Sequence, residues 1–556
     1  MPQGWFFCTS LLAMRTNSGA IKRPKGRGLR RPSTPLLLWL FLVAMGSGCR
    51  RSDAAAPESA TVTLQPPTAL RLHWLGINRL VADTNAAGFM SIWNLPQTVK
   101  LKDQTLDKLA LAIANVLSAP PGAIGVSSQQ STNPPIRPAL LRPLLDDIIN
   151  EECYLEVRHA TNRPAELALA FRIDSFPAAV LHMNIGATAS LLATNKSPLR
   201  IQDSRVQDWT LVGVASGENS LLPELAARIQ RDHAPFPASK TNFWLDARVD
   251  PTSLVEIFHA STLPRSADPT LPTLSLTVIG EGDHLRIRGQ ADFPRPLGLE
   301  LDPWNIPTNL LSLPLSGFTA ARGLGKWLAA LNAWQNLRAG SPPNQAFVWS
   351  LEGPALQTYF AAPQPDASNQ VSAITSLVLQ KAKPWLATND PGGVIEPQPP
   401  TGFVLKDIPF FTPFLRPEFT PRGGFLVGGI GPLDTPYQPP PLDLYEQFRS
   451  TPNLLFYEWE QTGIRTEQWH EIGQFARFMA HRAQLPSDSA GRTWIQLVEP
   501  KLGVCVTLVT QATAQQLTFE RKSTIGLSAL ELQLFLDWLE SPDFPRGLHS
   551  FQKAAP

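Results

Sequence analysis

Cysteine is scarce in this chain: four in 556 residues, with no CxxC pair and no Cys/His cluster at zinc spacing. A structural zinc site therefore has no ligand set to draw on. Basic surplus is also missing from the body. The formal net charge is +2, but residues 1–48 hold seven basic residues and no acidic one, leaving 41 basic against 46 acidic in the remainder. A nucleic-acid reader is usually basic in its folded part, so that class is set aside.

Catalytic signatures are absent as well. No G-x-S-x-G nucleophile elbow occurs. "GLGKW", 323–327, lacks the first Gly of a phosphate loop and places Trp327 where Ser or Thr would hold Mg²⁺. His470-Glu471 is not an HExxH site, because Gln474 stands at the second His position. His481 shares that helix face but lies ~16 Å along the axis, too far to share an ion. The Gly-rich "RGGFLVGGIGP", 422–432, has no helix behind it to accept a pyrophosphate and reads as a strand between two turns. No cofactor is expected.

What is present begins at the N-terminal end. A basic segment from Lys22 to Arg31 precedes the apolar run "PLLLWLFLVAM", Pro35 to Met45, and then "GSGC". Eleven apolar residues are too few for a hydrocarbon core that needs about 20, but they suit a signal-peptide core. Residues 1–48 are read as a signal peptide with Met14 as its alternative start, and no second transmembrane helix is expected downstream. Ordinary cleavage after Gly46 would use Ala44 and Gly46 as the small pair.

Gly46-Ser47-Gly48-Cys49 resembles a bacterial lipoprotein lipobox. The resemblance implies that Cys49 becomes the first mature residue and carries up to three acyl chains. Two or more chains anchor stably, at ~0.8 kcal/mol per buried CH₂. Arg50, in place of Asp, implies sorting to the outer membrane, facing the periplasm. Residues 49–68 are small and polar, a flexible tether with a reach of roughly 20–25 Å. Of the remaining cysteines, Cys153 and Cys505 form the one pair available for a disulfide, or two buried free thiols in strands.

The 54 prolines argue for short elements joined by stiff connections. Pro-rich stretches at 119–138, 388–402 and 431–444 divide the body. The expected plan is α+β domain 1 over 69–236, domain 2 over 237–390, a linker over 391–402 and domain 3 over 403–556. "TLSLTVIGEGDHLRIRGQADF" reads as a hairpin about a Gly-Asp turn. "ELALAFRID", "WTLVGVAS", "FWLDARVD", "AFVWSLE" and "LLFYEWEQ" read as strands, and 493–522 as a three-strand meander. Helices are expected after Asp250-Pro251, from Thr105 with Leu106, Leu109, Ala110, Ile113 and Leu117 on one face, from Gly317, and from a Ser528/Glu531 capping box. Hairpins with interspersed amphipathic helices give an α+β class of mainly antiparallel sheets covered by helices. The copies "WNLP", Trp93–Pro96, and "WNIP", Trp304–Pro307, suggest an internal duplication with both tryptophans buried at equivalent places. The body resembles exported bacterial proteins built from repeated α+β units, a resemblance that implies no activity.

Asp146, Asp147, Glu151 and Glu152 cluster about one helical turn and read as a solvated face in preference to a cation site. The leading expectation is a lipid-anchored envelope protein with a non-catalytic binding or assembly role, its partner another envelope protein. Two alternatives stand beside it: an envelope hydrolase using paired carboxylates on a cell-wall or polymer substrate, and a periplasmic carrier of an apolar ligand. A cleft with two carboxylates, one of them desolvated, would favour the first alternative.

Overall fold

The computed structural model describes residues 68–549, except 119–135, 161–162, 196, 198, 237–242, 254–270, 312–313, 338–339, 354–356, 390–392, 408–411, 432–441, 480–481, 483–484 and 546. The expected signal segment, Cys49, the expected tether, and most of the stretches 119–138 and 431–444 lie outside the described residues.

Among the described residues, one antiparallel sheet of 18 strands organises the fold. In chain order these are β1 (Thr68–Trp74), β2 (Glu152–Ala160), β3 (Arg163–Arg172), β4 (Arg200–Val206), β5 (Trp209–Ala215), β6 (Leu245–Val249), β7 (Thr273–Glu281), β8 (His284–Asp292) and β9 (Leu315–Arg322). There follow β10 (Gln345–Leu351), β11 (Thr358–Pro363), β12 (Val394–Pro397), β13 (Phe403–Lys406), β14 (Pro413–Thr420), β15 (Gly423–Ile430), β16 (Leu454–Gln461), β17 (Val504–Thr513) and β18 (Gln516–Ser523).

The ladders give two arms. From the edge inward the first reads β4-β5-β3-β2-β1-β6-β7-β8. The second reads β14-β15-β11-β10-β9-β16-β17-β18 in the same way. The arms join at the β8–β18 ladder, and β13-β12 extends the second arm to its edge. The sheet runs through all three expected domain segments, for β6 lies beside β1 and β16 beside β9. Val394–Pro397, inside the expected 391–402 linker, is a strand.

Helices line both faces: α1 (Ile77–Leu80), α2 (Ala87–Trp93), α3 (Pro96–Ser118), α4 (Pro138–Asn150), α5 (Ser175–Thr194), α6 (Leu221–Asp232), α7 (Gly325–Ala330) and α8 (Asn332–Leu337). The remainder are α9 (Ala367–Asn389), α10 (Leu442–Ser450), α11 (Thr462–Met479), α12 (Ala490–Val498) and α13 (Ala529–Leu539). Residues directly opposite in a ladder share a face. One face carries Cys153, Phe171 and Val212 under α5, and Phe360, Leu415 and Leu426 under α9. The other carries Tyr154, Ala170 and Leu211 under α6, and Phe318, Phe347 and Tyr457 under α10. The α+β class therefore stands.

Local signals account for several elements. Gly282 supplies the positive φ that the β7–β8 turn needs. Ser528 accepts from the Glu531 amide while the Glu531 side chain accepts from the Ser528 amide, the expected capping box of α13. Asp250 accepts from the Thr252 amide and the Ser253 hydroxyl as a helix begins at Pro251, its continuation lying outside the described residues. The expected helix from Thr105 starts earlier, at Pro96, and buries Leu106 and Ala110.

Other expectations are corrected. Gly317–Arg322 is not helical but belongs to β9 in the middle of the second arm, where Ala320 and Ala321 are buried between flanking strands. Sheet context there overrides helix propensity. Thr493–Val498 is not the first strand of a meander. It belongs to α12, capped by Ser489, with Trp494, Ile495 and Val498 on its buried side. Cys153 and Cys505 are buried free thiols, so the disulfide alternative is not formed. The two Trp-Asn copies are not equivalent: Trp93 ends α2, after β1, whereas Trp304 precedes β9. Both are half-buried; Trp93 stacks on Phe89 and Trp304 meets Phe448 edge-on. Finally, Ser175–Thr194 is a helix of 20 residues, long and apolar enough by composition to cross a membrane. It carries no Asp, Glu, Lys or Arg, a run of a length not expected downstream of Met45.

Candidate functional site

The arms can be aligned on their hairpin turns, Gly282-Asp283 and Ala514-Gln515, which sets Arg288 opposite Glu520 at the junction. Ladder by ladder, Leu72, Ala247 and Leu276 then fall where Thr319, Glu458 and Thr507 fall in the second arm. Likewise Leu70, Val249 and Leu274 match Gly317, Glu460 and Cys505. A stripe that is wholly apolar in one arm is polar in the other. On the opposite face the exchange reverses, for Tyr154, Glu156 and Arg158 match Phe347, Trp349 and Leu351.

The two polar stripes differ in how well they are satisfied. In the first arm Glu156 accepts from Tyr154 Oη at 2.7 Å and pairs with Arg158 at 2.8 Å and Arg228 at 3.1 Å. Arg158 also pairs with Glu224. Each charge has a partner, which suits a structural network, and these partners hold Glu156 below the usual carboxylate range against the burial that would raise it.

The second-arm stripe is not closed in this way. Glu458 and Glu460 stand two apart on β16, on one face, roughly 6.6 Å between Cα atoms by strand rise. Helices α11 and α13 cover them. Glu460 accepts from the Ala529 amide at 2.6 Å, at the start of α13. Arg521 is committed to Glu531 and to the Thr507 hydroxyl. Arg465, from α11, lies over the Trp469 ring and donates to Gln468. Gly317 leaves room for it, since a Cβ there would sit 3.2 Å from Arg465 Nε. Glu458 is 6% exposed and accepts no hydrogen bond from a described residue. With Glu460, Arg465, Thr319, Ser350 and Trp469 it lines a cavity of about 50 Å³.

Burial pushes both carboxyls up, Glu460 to about 8, with the Glu458 charge adding to the rise. Burial, with the repulsion between the two carboxyls, favours holding a proton on the Glu458/Glu460 pair. Beside the pair lies the buried Arg465 guanidinium, itself lowered by burial and raised by both glutamates.

The residues singled out in the sequence lie elsewhere. Arg142 gathers Asp103, Asp107 and Asp146. Asp147 is pushed up to about 6 by burial, then by Glu151 and Asp146. Glu152 is buried against His73 at 3.0 Å and Arg79 at 2.6 Å. No grouping able to hold a metal ion occurs among the described residues. His470 is buried beside Gln474, and burial followed by the Arg492 and Arg477 charges lowers it to about 4. Cys153 and Cys505 occupy opposite arms, each pushed up by burial, Cys153 to about 12. "LLFYEWEQ" reads as a strand, but alternation with Tyr457 and Trp459 suggests glutamates facing water. Only the covering helices reveal otherwise. No protein-family model, curated protein or solved structure matches this chain.

Proposed function

We propose that this is a lipid-anchored, exported envelope protein that works by binding. Anchoring through Cys49 rests on the basic segment, the short apolar run and the lipobox-like Gly46–Cys49. We read the two arms as products of an internal duplication, supported by their shared strand order and matching hairpin turns.

The observation that carries the binding role is the asymmetry between arms. Only the second places a buried carboxyl that accepts no hydrogen bond from a described residue, that of Glu458, against a cavity, at a ladder position that is apolar Ala247 in the first. Of the two polar stripes at which the arms diverge, the first arm's is closed by ion pairs, so the second arm's is the one that points to a role beyond packing. Burying a carboxyl pair costs stability, which burial alone shows here by raising both groups.

A second reading, hydrolysis by the paired carboxylates, is favoured by the same Glu458/Glu460 spacing. Size weighs against it. Pockets that enclose substrates run to about 300–1,000 Å³, while this cavity holds about 50 Å³, room for waters or one small polar group and not for a sugar unit.

The test has two parts. Mass analysis of the N-terminal peptide should find acyl chains on Cys49, absent in Cys49→Ser. Turnover of cell-wall and polymer substrates should be nil for the purified protein. Turnover abolished by Glu458→Gln would overturn the binding role in favour of hydrolysis.

A further inference from the structure

Helix α5 is apolar on two opposite sides. Ala178, Leu181, Ile185 and Leu192 are buried, packing with Cys153, Phe171, Val212 and the neighbouring α3–α4 helices. Phe176 is 80% exposed and Met183 65% exposed. With Ala179, Gly186, Ala187 and Ser190 they form the exposed side, at helical spacing. No Asp, Glu, Lys or Arg occurs in the helix, whose most apolar stretch is only 28% buried. A surface helix of a globular protein ordinarily turns charged residues outward. Beside it, edge strand β4 exposes Arg205 on the α5 side of the sheet, while Asp203 is engaged by His182.

We infer that the outer face of α5 lies on the phospholipid surface to which the chain is tethered, with Phe176 and Met183 entering the headgroup–acyl boundary and Arg205 beside anionic headgroups. This rests on the anchoring reading above. Its inner side is occupied by the sheet, so α5 lies along the bilayer and does not cross it. The chain outside the described residues supplies the occupant. Fully extended, the 19 residues 49–67 span at most roughly 65 Å, so a body held at Cys49 stays beside the bilayer. A weakly inserting face thereby meets lipid at a high effective concentration. A face this apolar, held permanently beside a membrane, has its covering surface within reach.

The test is oxidation of Met183 by dilute peroxide in the full-length acylated protein, reconstituted into phosphatidylethanolamine/phosphatidylglycerol vesicles, with half-buried Met90 as internal reference. On vesicles Met183 should oxidise about tenfold more slowly than in soluble Cys49→Ser, the protection expected of a side chain withdrawn from water. Phe176→Asp should restore the solution rate while the protein stays anchored. Equal rates for the anchored and soluble wild-type helix would overturn the inference. So would protection of soluble Cys49→Ser that grows with protein concentration, since the face would then cover a second copy. If mass analysis finds no acyl chain on Cys49, the anchoring reading fails by itself. The helix is then judged on protein coupled through Cys49 to a maleimide phospholipid, with Cys153 and Cys505 buried, and the same two rates decide.

Discussion

At the residue scale the informative feature is a carboxyl pair that cannot both ionise cheaply. Glu460 is raised to about 8 by burial and by Glu458, against an ordinary value near 4.3 in the unfolded chain. A carboxyl raised on folding binds its proton more tightly in the native state. Its stabilisation is therefore complete below about pH 4.3 and is lost as pH rises through 8. His470 has the opposite sign. Lowered to about 4, it stabilises fully above about pH 6.5, and that contribution is lost as pH falls through 4. Glu460→Gln keeps an acceptor for the Ala529 amide while removing the charge. Thermal melts should show the wild type losing stability between pH 6 and pH 9, on the order of 3 kcal/mol, and Glu460→Gln losing far less. A wild-type curve flat across that range would contradict the assignment.

At the scale of single elements, sequence signals succeeded where the determinants are local. The α13 capping box needs only Ser528 and Glu531, and Ser528→Ala should cost about 1 kcal/mol in denaturant titration. An unchanged midpoint would mean that Glu460, which accepts from the Ala529 amide, already secures this end. The β7–β8 hairpin was legible for the same reason, being specified by alternation and a Gly-Asp turn. Elements set by distant partners were not legible. β9 carries helix-favouring alanines but is built between β10 and β16. α12 is rich in strand formers, yet Trp494 donates to the Thr98 hydroxyl across 396 residues of sequence. The site was hidden for a related reason. Two glutamates alternating with aromatics look solvent-facing until α11 and α13, encoded downstream, close over them. The strand was readable and its buried face was not.

At the scale of the whole molecule, two arms could behave as two folding units or as one. The β8–β18 ladder alone spans eight residue pairs, and a single ladder would couple the arms weakly. Apolar packing crosses the divide as well. Leu517 of β18 packs against the cluster of Leu70, Val249, Leu274 and Ala291. Ile92 and Leu101 of the first arm share a core with Trp494, Val498, Leu532 and Leu536 of the second. Burial of that kind across the junction makes opening one arm expose apolar surface of the other, so the described body should unfold cooperatively. Trp494 is the hinge of the argument, since it is buried from α12 against α3 and is hydrogen-bonded there. Trp494→Ala removes about 3–5 kcal/mol of packing and the indole N–H that the Thr98 hydroxyl accepts, leaving that hydroxyl its bond to the Ile92 carbonyl. In the wild type, hydrogen exchange of β2–β3 and of β16–β17 should report the same opening free energy. In Trp494→Ala the two values should separate, because the shared helical core that ties the arms together is breached. If the arms already differ by several kcal/mol in the wild type, the junction does not couple them, and the continuous sheet holds two independent folding units.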